Sequence, residues 1–430
     1  MYIKRDYSEP FFGRRRKRGG SVRKIVVFSA FIAALLIFVQ WQFDRLQLVA
    51  LDIVGMAPTP TPFASEIATQ GYQRWLAGDL TAAETLFAQA VAQQPNNPDY
   101  LYEYGRTMHE RLLRDFGAQA DFTPVIDLGD RLITAAPADP RGYAIKARAL
   151  FYNGDAASAI PVGINGLEVN DQYAGIHAAL AMSYVDIGRY QQGLNHGELA
   201  VELDPMDALA RRSLAYVLIF LGRRQEAIDQ LEQAVALLPN QVNAYFELAA
   251  QYLAPGVDLD TEGVATYERI LALEPRNVRA MVRLCAAYIK VGLFDQARGY
   301  CEDALAIEPT YALAWQQLGE LSFRRRNYEG AIEAYNQCRQ FVGEADASGN
   351  FIQCWYVRGL AHYYLGNCEA AWTDLQDALR ILTGNGDTTS SVVQSTRDGL
   401  SLVTQRCAAY SGQLLPTAPA PTVIPTPLGG

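Results

Sequence analysis

Residues 207–241 read DALARRSLAYVLIFLGRRQEAIDQLEQAVALLPNQ, and this stretch decides the fold. Its apolar residues return every three to four positions, the spacing of a helix that buries one face. Leu214, Ala215 and Leu218 share a face of a first helix; Ala227, Leu231 and Ala234 share a face of a second. Leu221-Gly222 supplies the turn, because glycine accepts the left-handed backbone that a tight helix–helix connection requires. Pro239 closes the second helix, since proline cannot donate to the preceding turn and clashes with it.

The pattern recurs at a period of about 34 residues. A first unit spans 64–97, with Gly71, a turn at Gly78-Asp79, and Ala83, Phe87 and Ala90 facing inward. The second, 98–139, opens with Leu101, Tyr104 and Gly105, then carries an extra loop from Asp115 to Thr123 and a weak second helix ending at Pro137. In the third, 140–173, the poor helix formers Pro161, Gly163 and Gly166 predict a short or bent second helix. The fourth, 174–207, has Leu180, Ala181, Tyr184 and Gly188, and the quoted stretch is the fifth. The sixth carries a small excess at Ala254-Pro255-Gly256; the seventh (278–311), eighth (312–345) and ninth (352–386) follow, with a loop from Gly343 to Asn350. Closing prolines stand at 95, 137, 205, 239, 275 and 309, and Asp171 occupies the place where one is missing. Beyond the array, 387–411 reads as one capping helix, and 412–430 is a Pro/Thr-rich tail whose composition favours disorder.

Over about residues 64–386 this resembles the tetratricopeptide-repeat (TPR) family, with the second, third and sixth units divergent. The resemblance implies an all-α fold, a right-handed α-solenoid of about nine helix-turn-helix repeats plus the C-terminal capping helix. It also implies a concave face, lined by the first helix of each pair, that binds an extended peptide or a partner helix. The first-helix residues turned away from the core pattern are Arg148, Phe151, Tyr152, Arg212, Tyr216, Phe220, Phe246, Arg279, Lys290, Phe323, Arg324, Tyr356, Tyr363 and Tyr364. Aromatic residues and arginine are the composition of binding hot spots, and the basic members favour an acidic protein or peptide ligand. The competing reading has the aromatics filling a narrow groove and the arginines pairing with carboxylates of neighbouring repeats. The Lys/Asn/Arg set with which some family members grip a C-terminal carboxylate is not found here.

Charge is unevenly distributed. Residues 1–24 hold nine basic side chains against Asp6 and Glu9, a balance of +7, which leaves −16 for the rest of a chain whose net charge is −9. An acidic body argues against nucleic acid as a partner. Ile25 to Val39 carries no charge, and extended through Phe43 it reaches about 19 residues, near the lower limit for a bilayer span. We therefore expect 25–43 to be a transmembrane helix, with the basic segment 1–24 cytoplasmic and the body outside. A cleaved secretory signal has the same layout, but Pro58 follows the nearest small-residue site, Gly55-Met56-Ala57. Residues 44–63 form a juxtamembrane stretch ending in MAPTPTPF, an extended, semi-rigid linker.

All six cysteines lie after the expected anchor, an even number suited to an oxidising compartment. With the repeat imposed, Cys285 and Cys301 face each other within one hairpin, Cys338 and Cys354 flank one loop, and Cys368 and Cys407 lie at adjoining ends of antiparallel helices. Sequential pairing is expected; buried free thiols are the alternative. No CxxC or Cys/His cluster has metal-ligand spacing. His109-Glu110 begins like a zinc-protease helix, but Leu113 stands where the second histidine is needed. His177 lies near the start of a first helix, where it either faces the groove or takes a solvated or core position, the latter favoured. No phosphate loop or nucleophile elbow occurs, so neither a cofactor nor enzymatic activity is expected. The sequence reads as a membrane-anchored extracytoplasmic scaffold; the alternative is a subunit of an envelope enzyme whose aromatic groove holds a glycan.

Overall fold

A computed structural model describes residues 63–413, apart from 117–119, 257–259, 343–350, 385 and 388. The basic segment, the expected anchor, most of the linker and nearly all of the tail lie outside the described residues. No helix among those described is long and apolar enough to cross a membrane.

Nineteen α-helices and one 3-10 turn account for the described regular structure, and there is no strand within it. They run in hairpins: α1 (Ala64–Leu76) with α2 (Leu80–Gln93), α3 (Pro98–Phe116) with α4 (Thr123–Ala135), and α5 (Pro140–Tyr152) with α6 (Ala156–Val169). Then come α7 (Ala174–Asp186) with α8 (Tyr190–Leu203), α9 (Ala208–Phe220) with α10 (Arg224–Leu237), and α11 (Val242–Tyr252) with α12 (Asp260–Leu273). The last are α13 (Val278–Lys290) with α14 (Phe294–Ile307), α15 (Ala312–Arg324) with α16 (Tyr328–Val342), and α17 (Gln353–Leu365) with α18 (Cys368–Gly384). Helix α19 (Ser391–Arg406) and the turn Ala408–Tyr410 cover the end of the array, packing on α18 and α17. Each second helix packs on the following first helix, and most successive first helices touch, so the first helices form an inner row.

The closing prolines fall two positions after the last residues of α2, α4, α8, α10, α12 and α14, and Asp171 does so after α6. Their carbonyls are used again. Tyr143, Tyr245 and Trp315, each six residues on, donate to the carbonyls of Pro137, Pro239 and Pro309 at 3.4, 3.1 and 2.8 Å. Small residues let the helices of a hairpin approach: a Cβ on Gly319 would lie 2.6 Å from the ring of Tyr335, and one on Gly359 2.8 Å from Leu375.

Two expectations are corrected. Helix α6 has the same fourteen residues as most second helices and is not short. Gly163 and Gly166 meet Leu180, Tyr143 and Ile176 where a Cβ would clash, so close packing outweighs their weak helix propensity. Pro161 lies on the exposed face, and Asp155 caps the helix by accepting from the Ser158 amide. The extra loop of the second unit is also shorter than expected. Asp115 and Phe116 belong to α3, and Thr123 begins a full-length α4. Phe122, wholly buried, anchors the connection.

The six cysteines pair as Cys285–Cys301, Cys338–Cys354 and Cys368–Cys407, with Cα–Cα distances of 5.5, 6.2 and 6.0 Å. Cys285 and Cys301 occupy the positions that Gly319 and Tyr335 hold one repeat later. A covalent bond there replaces a small-against-large contact.

Candidate partner-binding face

The inner row does not form an open groove along its whole length. Helix α3 packs on α11, far along the chain, and the array closes on itself there. Asn240 and Gln241 donate to the carbonyls of Leu76 and Trp75 at 3.1 and 2.5 Å. Gly78 makes this approach possible, because a Cβ would fall 2.2 Å from the Asn240 carbonyl oxygen. Farther along α3, Arg279 donates to the carbonyls of Leu113 and Arg114 at 3.1 and 3.4 Å.

Glu110 is the centre of the closure. Its carboxylate is buried and accepts from Arg212 at 3.1 Å, from Asn243 at 2.8 Å and from Arg148 at 3.5 Å. Burial opposes its charge, but Arg212, the adjacent His109 and Arg148 together outweigh burial and hold it well below the usual carboxylate range. Beside it, His109 packs between Phe122 and Tyr152, and burial first, then Arg148, pushes its imidazole down to about 3.

The fourteen residues expected on the concave face fall into three groups. Arg148, Tyr152, Arg212, Phe246 and Arg279 are engaged by the chain itself: three through α3, Tyr152 against His109, and Phe246 beneath the Arg279 guanidinium at 4.2 Å. Phe151, Tyr216 and Phe220 form a ladder of rings at 5.5 and 4.8 Å, with Phe220 exposed. Lys290, Phe323, Arg324, Tyr356, Tyr363 and Tyr364 belong to the later units. Of these, Lys290 pairs with Asp260 at 2.5 Å and Arg324 with Glu320 at 2.6 Å, both near the surface. Tyr363 lies beneath Arg406 of α19, whereas Tyr364 is exposed and stacks on Tyr328 with ring centres 4.8 Å apart.

Past the end of α3 the inner face opens into a cleft of about 620 Å3, bounded by Leu113, Phe246, Tyr267, Arg279, Arg283 and Lys290 among others. Burial first, and then the neighbouring charge of Arg283, lower the Arg279 guanidinium below its ordinary value. The carboxylate of Glu247, also in the cleft wall, offsets part of that repulsion. Arg283 was not among the expected residues, although it sits one turn beyond Arg279, a spacing that places both on one face. Glu110, which in the sequence only begins an incomplete zinc motif, is likewise outside that set. Its signal was a carboxylate on an inner row otherwise rich in arginine. His177 is buried at the start of α7, its Nδ1 2.9 Å from Nδ1 of His196 and its Nε2 2.9 Å from the Asp171 carbonyl. This is a packed pair away from the cleft.

Residues 178–242 and 286–341 match the family model described as tetratricopeptide repeat. A TPR repeat-containing protein of Bacillus subtilis, YpiA, is 23% identical over 271 residues, 62% of this chain and 56% of the relative, so the match spans little more than half the relative's length. The structure of the Cut9–Hcn1 hetero-tetramer of the APC/C aligns over 77% of this chain and 75% of that one, with a TM-score of 0.50 and 15% identity, a likeness of fold. TTC0263, a TPR protein of Thermus thermophilus, is 23% identical, covering 44% of this chain and all of its own, at a TM-score of 0.37.

Proposed function

We propose that the chain is a membrane-anchored, extracytoplasmic TPR scaffold that docks an acidic protein segment along the later, open part of its inner face. TPR proteins bind protein or peptide partners, and the repeat fold supplies the rigid curved surface for it. The observation that carries the reading is the cleft of about 620 Å3 where Arg279, Arg283 and Lys290 gather beside Phe246 and Tyr267. Carboxylates of a partner would meet the exposed Arg283 first, and the aromatic walls would bury its apolar side chains. Phe323, Tyr328 and Tyr364 extend the same composition to the next repeats. The expected anchor, 25–43, and the basic segment before it would hold this surface at the outer face of a membrane.

The test places a photo-crosslinking residue at Ala286, in the cleft wall, and irradiates intact cells. A discrete crosslinked partner is expected. Arg283→Glu and Tyr364→Ala should each cut its yield roughly tenfold without changing the melting temperature. An equal yield from all three proteins would remove the cleft as the docking site. Protease added to spheroplasts should digest the array and spare residues 1–24; a protected array would overturn the proposed topology.

A further inference from the structure

At the closure a second, smaller cavity of about 110 Å3 lies between the inner helices. Trp75, Arg106, Glu110, Arg148, Asp207 and Arg212 line it. Trp75 is 6% exposed and Arg148 5%. The Arg106 guanidinium stacks over the Trp75 indole at 3.9 Å. Three donors here are buried without a hydrogen-bond partner among the described residues: the indole Nε1 of Trp75 and the Nε of both Arg106 and Arg148. Buried N–H groups are ordinarily satisfied, so several orphaned donors around one cavity point to something that fills it.

Most of the acceptors nearby are already committed. Glu110 receives Arg212 and Asn243, and reaches Arg148 only at 3.5 Å. Glu103 is the partner of Arg106, and Glu247 that of Arg212. One oxygen of Asp207 caps α9 by accepting from the Leu209 amide at 2.8 Å. Burial raises the Asp207 carboxyl above its ordinary range, and the charges of Arg148 and Arg106 oppose that rise. The wall is thus left with surplus donors on two guanidiniums and an indole. A space of this volume holds about three to four waters at ~30 Å3 each, or one compact group with several acceptor oxygens.

We propose that this cavity binds a small tetrahedral oxyanion, phosphate or sulfate, held by Arg106, Arg148 and Trp75 where the array closes. Such an ion answers the orphaned donors together and ties α1, α3 and α5 to one another. The site is separate from the docking cleft and does not depend on any partner.

The test titrates purified full-length protein with sodium phosphate or sodium sulfate at constant ionic strength, chloride making up the balance. Isothermal titration should show one saturable site for at least one anion, with a matching saturable rise in melting temperature. Trp75→Phe keeps the ring under Arg106 but removes the donor, and should weaken binding roughly five- to tenfold. Arg148→Gln should abolish it, while Arg325→Gln, at the exposed pair with Asp295, should bind as wild type. Should Arg148→Gln fail to fold, Trp75→Phe decides. No saturable heat with either anion, or undiminished binding by Trp75→Phe, would overturn the proposal and leave the cavity to water.

Discussion

Arg326 shows how much one residue of a repeat can be asked to do. The hairpin turns place glycine at positive φ, as at Gly222 (73°) and Gly292 (79°). In the eighth unit the corresponding residue is Arg326, with φ 59°. The hydrogen bonds of the turn are unchanged: Asn327 N donates to Ser322 O at 2.9 Å, as Arg223 N donates to Leu218 O at 2.9 Å. The side chain is exposed, so the local cost is one of backbone conformation. Relief from the left-handed conformation is worth about 1–2 kcal/mol, and the added freedom of glycine in the unfolded chain takes back about 0.4–1 kcal/mol. Arg326→Gly should therefore stabilise the protein by up to about 1.5 kcal/mol, read as a higher urea midpoint at unchanged slope. A midpoint at or below that of the wild type would show that the arginine earns its place through contacts of its own.

At the scale of the element, the helical hairpins were legible because their determinants are local. Apolar spacing, turn glycines and closing prolines each act within one unit, and α9 and α10 lie where residues 207–241 place them. The length of α6 was misjudged because propensity is local while the contacts of Gly163 and Gly166 with Leu180 and Ile176 are made between helices. The disulfides belong to this scale as well, since each joins neighbouring helices late in the array. The Cys368–Cys407 bridge closes 39 residues and holds the far end of α19 on the start of α18. Its removal is expected to cost about 2–4 kcal/mol in the chain-entropy account. Because α19 is the terminal helix, with neighbours on one side of the stack, the loss should appear first in its own amides. A Cys368→Ser/Cys407→Ser protein should exchange hydrogen faster across Ser391–Arg406 while α7 to α10 keep their protection. Unchanged protection in α19 would mean that packing on α17 and α18 suffices to hold it.

At the scale of the molecule the repeats do something the period does not encode. Contacts between α3 and the segment from Asn243 to Arg279 join residues more than a hundred positions apart, and their geometry depends on the accumulated rotation of every unit between them. A sequence read at a period of about 34 residues treats every inner row as equally open. Here the first units fill the groove of the middle ones, and the arginines expected to meet a partner, Arg148 and Arg212, meet Glu110 instead. Glu110→Gln keeps the shape and removes the charge, leaving two buried guanidiniums facing a neutral amide. Breaking a buried pair in this way costs about 3–5 kcal/mol. That exceeds what the neighbouring hydrogen bonds of Asn240 and Gln241 contribute at about 0.5–1.5 kcal/mol each, so the closure should open before the rest unfolds. The expected signature is a larger radius of gyration in small-angle scattering, with faster hydrogen exchange confined to α1–α3 and α11 and protection retained in α15–α18. If stability fell with no change in radius and with exchange raised evenly along the array, Glu110 would be a core ion pair like any other, and the closure would rest on the apolar contacts around Trp75 and Leu238.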